Sequence, residues 1–262
     1  MAVPFVKATA CGNDFLLIEG AHAPKDLAAF TRRICDRHLG VGADGVEWLF
    51  PDHDAVSDVY ARLLNADGSE AEISGNGTRC VAAHWASHHP GVDMVRIRTG
   101  AGVKQCRLLA AREMHYEFET AMGIPQVGAE RAVLTPRGEL RGVPVSIGNP
   151  HFVRIVDSVP LDWQAEGALI GQDKSFPNGV NVEYARVTGA SEIEVRFFER
   201  GVGETQSSGT GSCAAAAAVI QCRHLQSPVS VRAPGGSQSV RWEGEVYLSG
   251  PAELLCRGEF FS

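Results

Sequence analysis

Short runs rich in Val, Ile, Phe and Tyr recur along the chain, several of them alternating apolar with polar positions, and glycine separates them. Alternation at period two puts every second side chain on one sheet face, so such runs predict half-buried strands. They lie at residues 5–9 (FVKAT), 14–19 (DFLLIE), 45–50 (GVEWLF), 59–64, 94–99, 103–110 and 115–122. A second series follows at 143–148, 152–157, 181–187 (NVEYARV), 192–199 (EIEVRFFE), 229–233, 238–243 and 245–250. Four stretches read as helices instead. Residues 25–40 (KDLAAFTRRICDRHLG) have apolar side chains at helical spacing, a basic end and Gly40 as a stop. Residues 77–89 and 211–225 are Ala-rich enough to be buried, and residues 161–171 add a fourth.

The order strands, helix, strands, helix, strands occurs twice. Two phrases mark the repeat, AEISGNGTRC at 71–80 and TQSSGTGSC at 205–213. Each sets a serine before a Gly-x-Gly loop and a run of small residues. Ser74 and Ser208 stand 134 positions apart in 262 residues, close to half the length. Repetition at half-length predicts an α/β fold of the α+β type: two pseudo-symmetric domains, each a strongly curved sheet around a central helix. The expected domains are residues 1–113 and 114–251, with 252–262 returning to complete the first. The serine loops would then open the two central helices, both N-termini facing an interdomain cleft.

Composition removes several classes of function. A formal net charge of −7 gives no basic surface for nucleic acid. The arginines of residues 31–38 read as a solvated helix face. No apolar run approaches the roughly 20 residues needed to cross a bilayer. The first residues lack the basic and apolar regions of a signal peptide. The expectation is a cytoplasmic protein without a membrane partner. Seven cysteines, odd in number and without a C-x-x-C pair, argue against a disulfide framework and a zinc site. The histidines of HWASHH (84–89) read as helix surface, so no metal is expected. No lysine sits in a setting for a pyridoxal phosphate Schiff base, and no G-x-G-x-x-G links a strand to a helix. No cofactor is implied.

The duplicated loops carry the chemistry. A helix N-terminus presents unpaired N–H groups and about half a unit of positive charge, and glycine lets an anion approach the backbone. Two such loops with matched spacing predict a site for a carboxylate, with Ser74 and Ser208 flanking it. Inverting a carbon that bears a hydrogen needs one acid/base group on each face, together with stabilisation of the carboxylate as it takes up charge. Cysteine is the natural residue for that task, because a helix N-terminus stabilises the thiolate.

At this point the motifs resemble those of the diaminopimelate epimerases, PLP-independent enzymes that interconvert LL- and meso-diaminopimelate. GNDF (12–15), NADGSE (65–70), GNGTRC (75–80), GNPH (148–151), VNV (180–182) and ERGVGET (199–205) occur in that family's order. The resemblance implies a small zwitterionic amino acid as substrate, and a homodimer is compatible with it. It also implies roles for residues. Asn13, Asn65, Asn149 and Asn181 match positions that hydrogen-bond the substrate. Glu199 and Arg200 match the pair at its distal amino and carboxylate end. Gly75 and Asn76, with Gly209 and Thr210, match the backbone donors to the reacting α-carboxylate. His151 and Glu199 match positions that help activate the acid/base residues. Taken singly, Asn13 and Asn65 sit in turn-like stretches where Asn commonly serves the backbone, and His151 alone would read as structural. Gly45 stands where some members use a glutamine, so nothing is carried over there.

One departure stands out. The family's two catalytic cysteines align with Ser74 and Ser208. A hydroxyl is a far weaker acid than a thiol and needs an adjacent proton acceptor to work as a base. Cys80 and Cys213, a few residues further on, read as buried structural thiols. Three accounts fit the exchange: deliberate replacement, an active branch that uses serine with help from His151 and Glu199, or a binding protein that has lost catalysis. A racemase or dehydratase of the same fold acting on another amino acid is the alternative enzyme.

Overall fold

The unbroken apolar run Phe15–Ile18 makes sense only in a strand covered on both faces. In a computed structural model, which describes residues 2–52 and 56–261, that is its setting. The chain divides into two units, Met1–Thr120 with Gly250–Ser262, and Ala121–Ser249.

The first unit runs β1 (Ala2–Ala10), β2 (Asn13–Glu19), α1 (Leu27–Cys35), β3 (Gly45–Phe50), β4 (Val59–Asn65), β5 (Glu70–Ala71), α2 (Gly75–His88), β6 (Met94–Thr99), β7 (Gly102–Arg112) and β8 (His115–Gly123). Strands β2 and β3 are parallel, as are β4 and β6, while β1–β2, β3–β4, β6–β7 and β7–β8 are antiparallel. Parallel neighbours need a crossover, and α1 and α2 supply the two. The sheet sorts its side chains between them. Phe15, Leu17, Leu49, Ala61 and Leu63 pack with Cys80, Val81, Ala82 and Ala83 of α2. Leu16, Ile18, Val46, Trp48 and Leu64 pack with Phe30, Ile34 and Cys35 of α1.

The second unit repeats the plan: β9 (Gln126–Val127), β10 (Arg131–Thr135), β11 (Gly138–Ser146), β12 (Pro150–Ile155), α3 (Trp163–Gly171), β13 (Asn181–Gly189), β14 (Glu192–Glu199), β15 (Gly203–Thr205), α4 (Gly209–Arg223), β16 (Val229–Ala233), β17 (Gly236–Glu243) and β18 (Glu245–Phe261). Strands β12 and β13 are parallel around α3, and β14 and β16 are parallel around α4. Cys213 through Val219 of α4 are fully buried among Val143, Val145, Val153, Ile193, Phe197, Val231 and Val240. A helix enclosed on every side has no polar face to offer, and alanine lets strands close around it. Strand β18 then returns to pair antiparallel with β1, from Ala2 opposite Phe261 to Thr9 opposite Glu253.

All four expected helices form, and each expected strand overlaps an observed one. Most ends agree within two residues, but α1 stops five residues early, at Cys35, and β1 and β11 begin three and five residues before the expected starts. The structure adds β5, β9, β10, β15 and the far half of β18. The two- and three-residue strands are too short to show a period. Strand β10 buries only Val133, and β18 continues through Gly250-Pro251, a pair that reads as a turn. The boundary expected near 113 falls in the β7–β8 turn instead. Pairing of Cys106 with Thr120 carries the first unit to 120, and the return begins at 250 rather than 252. Among the described residues no helix is long and apolar enough to cross a membrane.

Enclosure of α4 sets a prediction. Ala216→Leu adds three carbons where no space exists and should destabilise the protein by about 1–3 kcal/mol, read from urea denaturation.

Candidate active site

Both Ala-rich helices begin the same way. Ser74 is the extended residue before α2, and its Oγ accepts from the Gly77 N–H at 3.1 Å. Ser208 precedes α4, and its Oγ accepts from the Gly211 N–H at 3.2 Å. The first ordinary turn bonds run from Thr78 N to Ser74 O (2.8 Å) and from Ser212 N to Ser208 O (2.9 Å). Each serine thus satisfies the third amide of its helix. Helix geometry leaves the amides of Gly75 and Asn76, and of Gly209 and Thr210, without an intrahelical acceptor. These are the four residues whose backbone donors the motifs singled out.

Ser208 has a carboxyl for a neighbour, Glu199 at the end of β14. Burial pushes the Glu199 carboxyl above the usual range, the Ser208 hydroxyl pulls it back, and the nearby Glu183 charge raises it again. His151 on β12 is fully buried and engages two partners: Nδ1 lies 2.7 Å from Glu183 Oε1 and Nε2 lies 2.8 Å from Asn149 Oδ1. Asn149 donates its Nδ2 to Thr210 Oγ1 (3.3 Å), which leaves Oδ1 as the acceptor. With that amide orientation Nε2 is the donor to Asn149, and Nδ1 faces Glu183. Burial raises the Glu183 carboxyl and the His151 contact opposes that rise.

The remaining residues of this unit gather at the same strand ends. Asn181, at the start of β13, donates to Pro150 O (3.2 Å) and accepts from the Arg200 N–H (3.0 Å). The Arg200 guanidinium is exposed and donates to Asn178 O at 2.7 Å.

In the first unit, Asn76 donates to Asn13 Oδ1 (2.7 Å), Asn13 donates to Asp44 Oδ2 (2.9 Å), and the buried Arg79 donates to Asn76 Oδ1. Asn65 is exposed at the end of β4, where its Nδ2 meets Ser69 Oγ at 3.0 Å and its backbone closes the turn with Ser69 O. Both side chains thus bond other side chains here rather than the backbone of their own turns. His84 and His88 stack edge to face, with His84 Nε2 3.4 Å from Glu19, and His89 lies on the Trp85 ring. Cys80 is fully buried, which pushes its thiol up, and Cys213 is equally enclosed.

The two units match residue for residue in register. Phe15 pairs with Gly45 across β2 and β3, as His151 pairs with Asn181 across β12 and β13. Asn65 lies opposite Gly45, in the place that Glu199 holds beside Asn181. Two residues along, Glu47 and Glu183 occupy the same site beneath the first turn of the Ala-rich helix. A Cβ on Gly77 would fall on Glu47 Oε1, and one on Gly211 would stand 2.9 Å from Glu183 Oε1. Glycine at the third helix position makes room for a carboxyl in both units. Sequence reading passed over Glu47 and Glu183; the available signal was a glutamate amid the apolar runs GVEWLF and NVEYARV.

Comparison with known proteins follows the same motifs. The family model described as diaminopimelate epimerase matches residues 5–126 and 143–255. The chain belongs to the diaminopimelate epimerase family. This is a family of PLP-independent isomerases. It is similar to the diaminopimelate epimerases of Pelotomaculum thermopropionicum (38% identical, covering 98% of both chains) and Carboxydothermus hydrogenoformans (35% identical, 98% of this chain and 99% of the relative). Among solved structures, a Bacillus anthracis phenazine biosynthesis protein of the PhzF family aligns with a TM-score of 0.74 over 100% of both chains at 14% identity. A hydroxyproline epimerase from Agrobacterium vitis aligns with a TM-score of 0.73 over 99% of this chain and 92% of its own, at 16% identity. These two likenesses are of fold.

Glu47 is buried enough to hold its carboxyl at about 8. A proton that the fold retains and the unfolded chain releases costs stability as pH rises. Relative to Glu47→Gln, the wild-type protein should therefore lose stability between about pH 4.5 and 8, by at most about 1.4 kcal/mol per unit, and level off above. Urea midpoints of the two proteins across that window check this; curves that stay parallel would place the titration elsewhere.

Proposed function

We propose that this protein inverts an α-carbon of diaminopimelate, interconverting the LL and meso forms without a cofactor, with Ser74 and Ser208 in the two acid/base positions. The observation that carries the reading is the pair of helix N-termini, each capped by a serine that leaves its first two amides without a helical acceptor, with the half-buried Glu199 carboxyl beside Ser208. A serine hydroxyl is useless as a base when isolated. With Glu199 to take its proton, Ser208 can accept one from a C–H bond or hand one over, and the carboxyl raised by burial is suited to both directions. Relatives spanning the full chain that are called diaminopimelate epimerases support the substrate assignment.

The remaining parts follow from the charge that develops. Removing the α-proton pushes an electron pair toward the α-carboxylate. The amides of Gly75 and Asn76, and of Gly209 and Thr210, supply fixed donors at helix N-termini, so no solvent need reorganise. His151 holds Asn149 in one orientation and neutralises Glu183, which would otherwise raise Glu199 further. Asn13, Asn65, Asn149 and Asn181 provide donors and acceptors for a zwitterion. The exposed guanidinium of Arg200 suits the distal carboxylate, and Glu199 serves the adjoining ammonium as well as Ser208.

Two measurements test the reading. In D2O, LL-diaminopimelate should incorporate deuterium at the α-carbon with the wild-type protein, or with the Ser74→Cys/Ser208→Cys form. Absence of both exchange and binding in the double-cysteine form would remove the substrate assignment. Binding without exchange in either form would leave an amino-acid-binding protein. Arg200→Met should raise KM for diaminopimelate by roughly tenfold or more, the loss of one charge-assisted pair, with kcat less affected. Turnover of a shorter amino acid that is indifferent to Arg200 would favour a racemase or dehydratase of another substrate.

A further inference from the structure

The two serines are not equally provided for. In the second unit the buried carboxyl beneath the helix, Glu183, is bound by His151, and the serine has a carboxylate of its own in Glu199. In the first unit the positions that match His151 and Glu199 are Phe15 and Asn65, and neither accepts a proton from a hydroxyl as a base does. One acid remains. Glu47 lies on the α2-facing side of β3, is nearly inaccessible to solvent, and makes no hydrogen bond or ion pair among the described residues. Its Oε1 lies 2.2 Å from where a Gly77 Cβ would stand, and Ser74 Cβ lies 3.2 Å from that same point. Glu47 and Ser74 therefore flank one glycine.

We infer that Glu47 is the positioning residue for Ser74, exchanging a proton with its hydroxyl as Glu199 does with Ser208. The inference rests on the epimerase reading for its chemical purpose, though not for its geometry. In one direction, ionised Glu47 takes the Ser74 hydroxyl proton while Ser74 Oγ takes the α-proton. The Cα–H and old Oγ–H bonds break, a new Oγ–H and a Glu47 O–H form, and the electron pair passes to the α-carboxylate. Re-protonation uses the mirror sequence: Glu199 gives its proton to Ser208 Oγ as the Ser208 proton goes to Cα. One proton has then moved from Glu199 to Glu47, and the reverse reaction restores it. Two carboxyls that burial holds above the ordinary range suit this bookkeeping.

A buried glutamate with no polar partner costs stability, and a leucine would fill the same place beside Leu49 without that cost. Exchange of a thiol for a hydroxyl at position 74 creates a need for an acceptor that a thiolate does not have. The ionisable groups around Glu47 do not meet that need. Arg79 on α2 donates to Asn76, Gly75 O and Pro251 O; Cys80 on α2 and Cys11 are thiols raised by burial; Asp14 on β2 is held by Lys7 and Arg37.

The experiment compares wild type, Glu47→Gln and Glu47→Asp. With diaminopimelate, Glu47→Gln should lower kcat by roughly 100-fold or more while KM moves less than about threefold, the scale of one acid/base assistance. The limb of the pH–rate profile near 8 should vanish with it, and Glu47→Asp should recover part of the rate. A Glu47→Gln enzyme with wild-type kcat and wild-type pH profile overturns the inference. A second measurement needs no substrate. Infrared difference spectra assign the Glu47 carboxyl band by its loss in Glu47→Gln. Ser74→Ala should displace that band and its titration midpoint, and an unmoved band overturns the inference. Failure of the epimerase reading would show as no exchange in any form, including the double-cysteine one, with the infrared coupling intact.

Discussion

Everything in this molecule depends on enclosing an alanine-rich helix inside a curved sheet. Strands that close around a helix on every side leave no room for large side chains and no solvent for polar ones. Such a helix must stay polar at its ends, and at the first turn the groups that lack partners are amides. In each unit that turn is capped by a serine that satisfies only the third amide. What remains is a pair of aimed donors beside a hydroxyl, produced by the same packing that builds the core.

That constraint also explains why the site residues sit where they do. The ends of the parallel strand pairs β2–β3 and β12–β13 deliver side chains beneath the helix N-terminus. A residue two places along from the pairing position points at the helix underside, where glycine at the third helical position admits it. Glu47 and Glu183 occupy these places, and each is raised by burial. Their surroundings differ because one unit supplies histidine and the other phenylalanine. An internal repeat has thus kept its frame and diverged in its acid/base partners.

Much of the fold was legible along the chain. Periodicity located the long strands, and the two Ala-rich runs announced buried helices, because hydrophobic burial acts on every turn of a helix and every second residue of a strand. The elements missed were those in which burial involves one residue, as in β10, or in which a strand passes through Gly250-Pro251. The site was legible to the extent that its residues form contiguous motifs. Asn149 with His151, Glu199 with Arg200, and the two serine loops are each readable within a few positions. Glu183 and Glu47 are not, because a glutamate inside an apolar strand gains meaning only from what the neighbouring helix places above it.

By itself the sequence determined the duplicated plan, the two capping serines and the absence of a sulfur at either position, since these are properties of order and identity. Only the tertiary structure decided which groups attend those serines. Ser208 meets Glu199, nine residues earlier, because a strand end and a helix start converge. His151 meets Glu183 because two strands run parallel. Glu47 comes beneath the first turn of α2 because Gly77 has no side chain to keep it out. Proton transfer works over a hydrogen bond's length, and nothing in linear order reports distance on that scale.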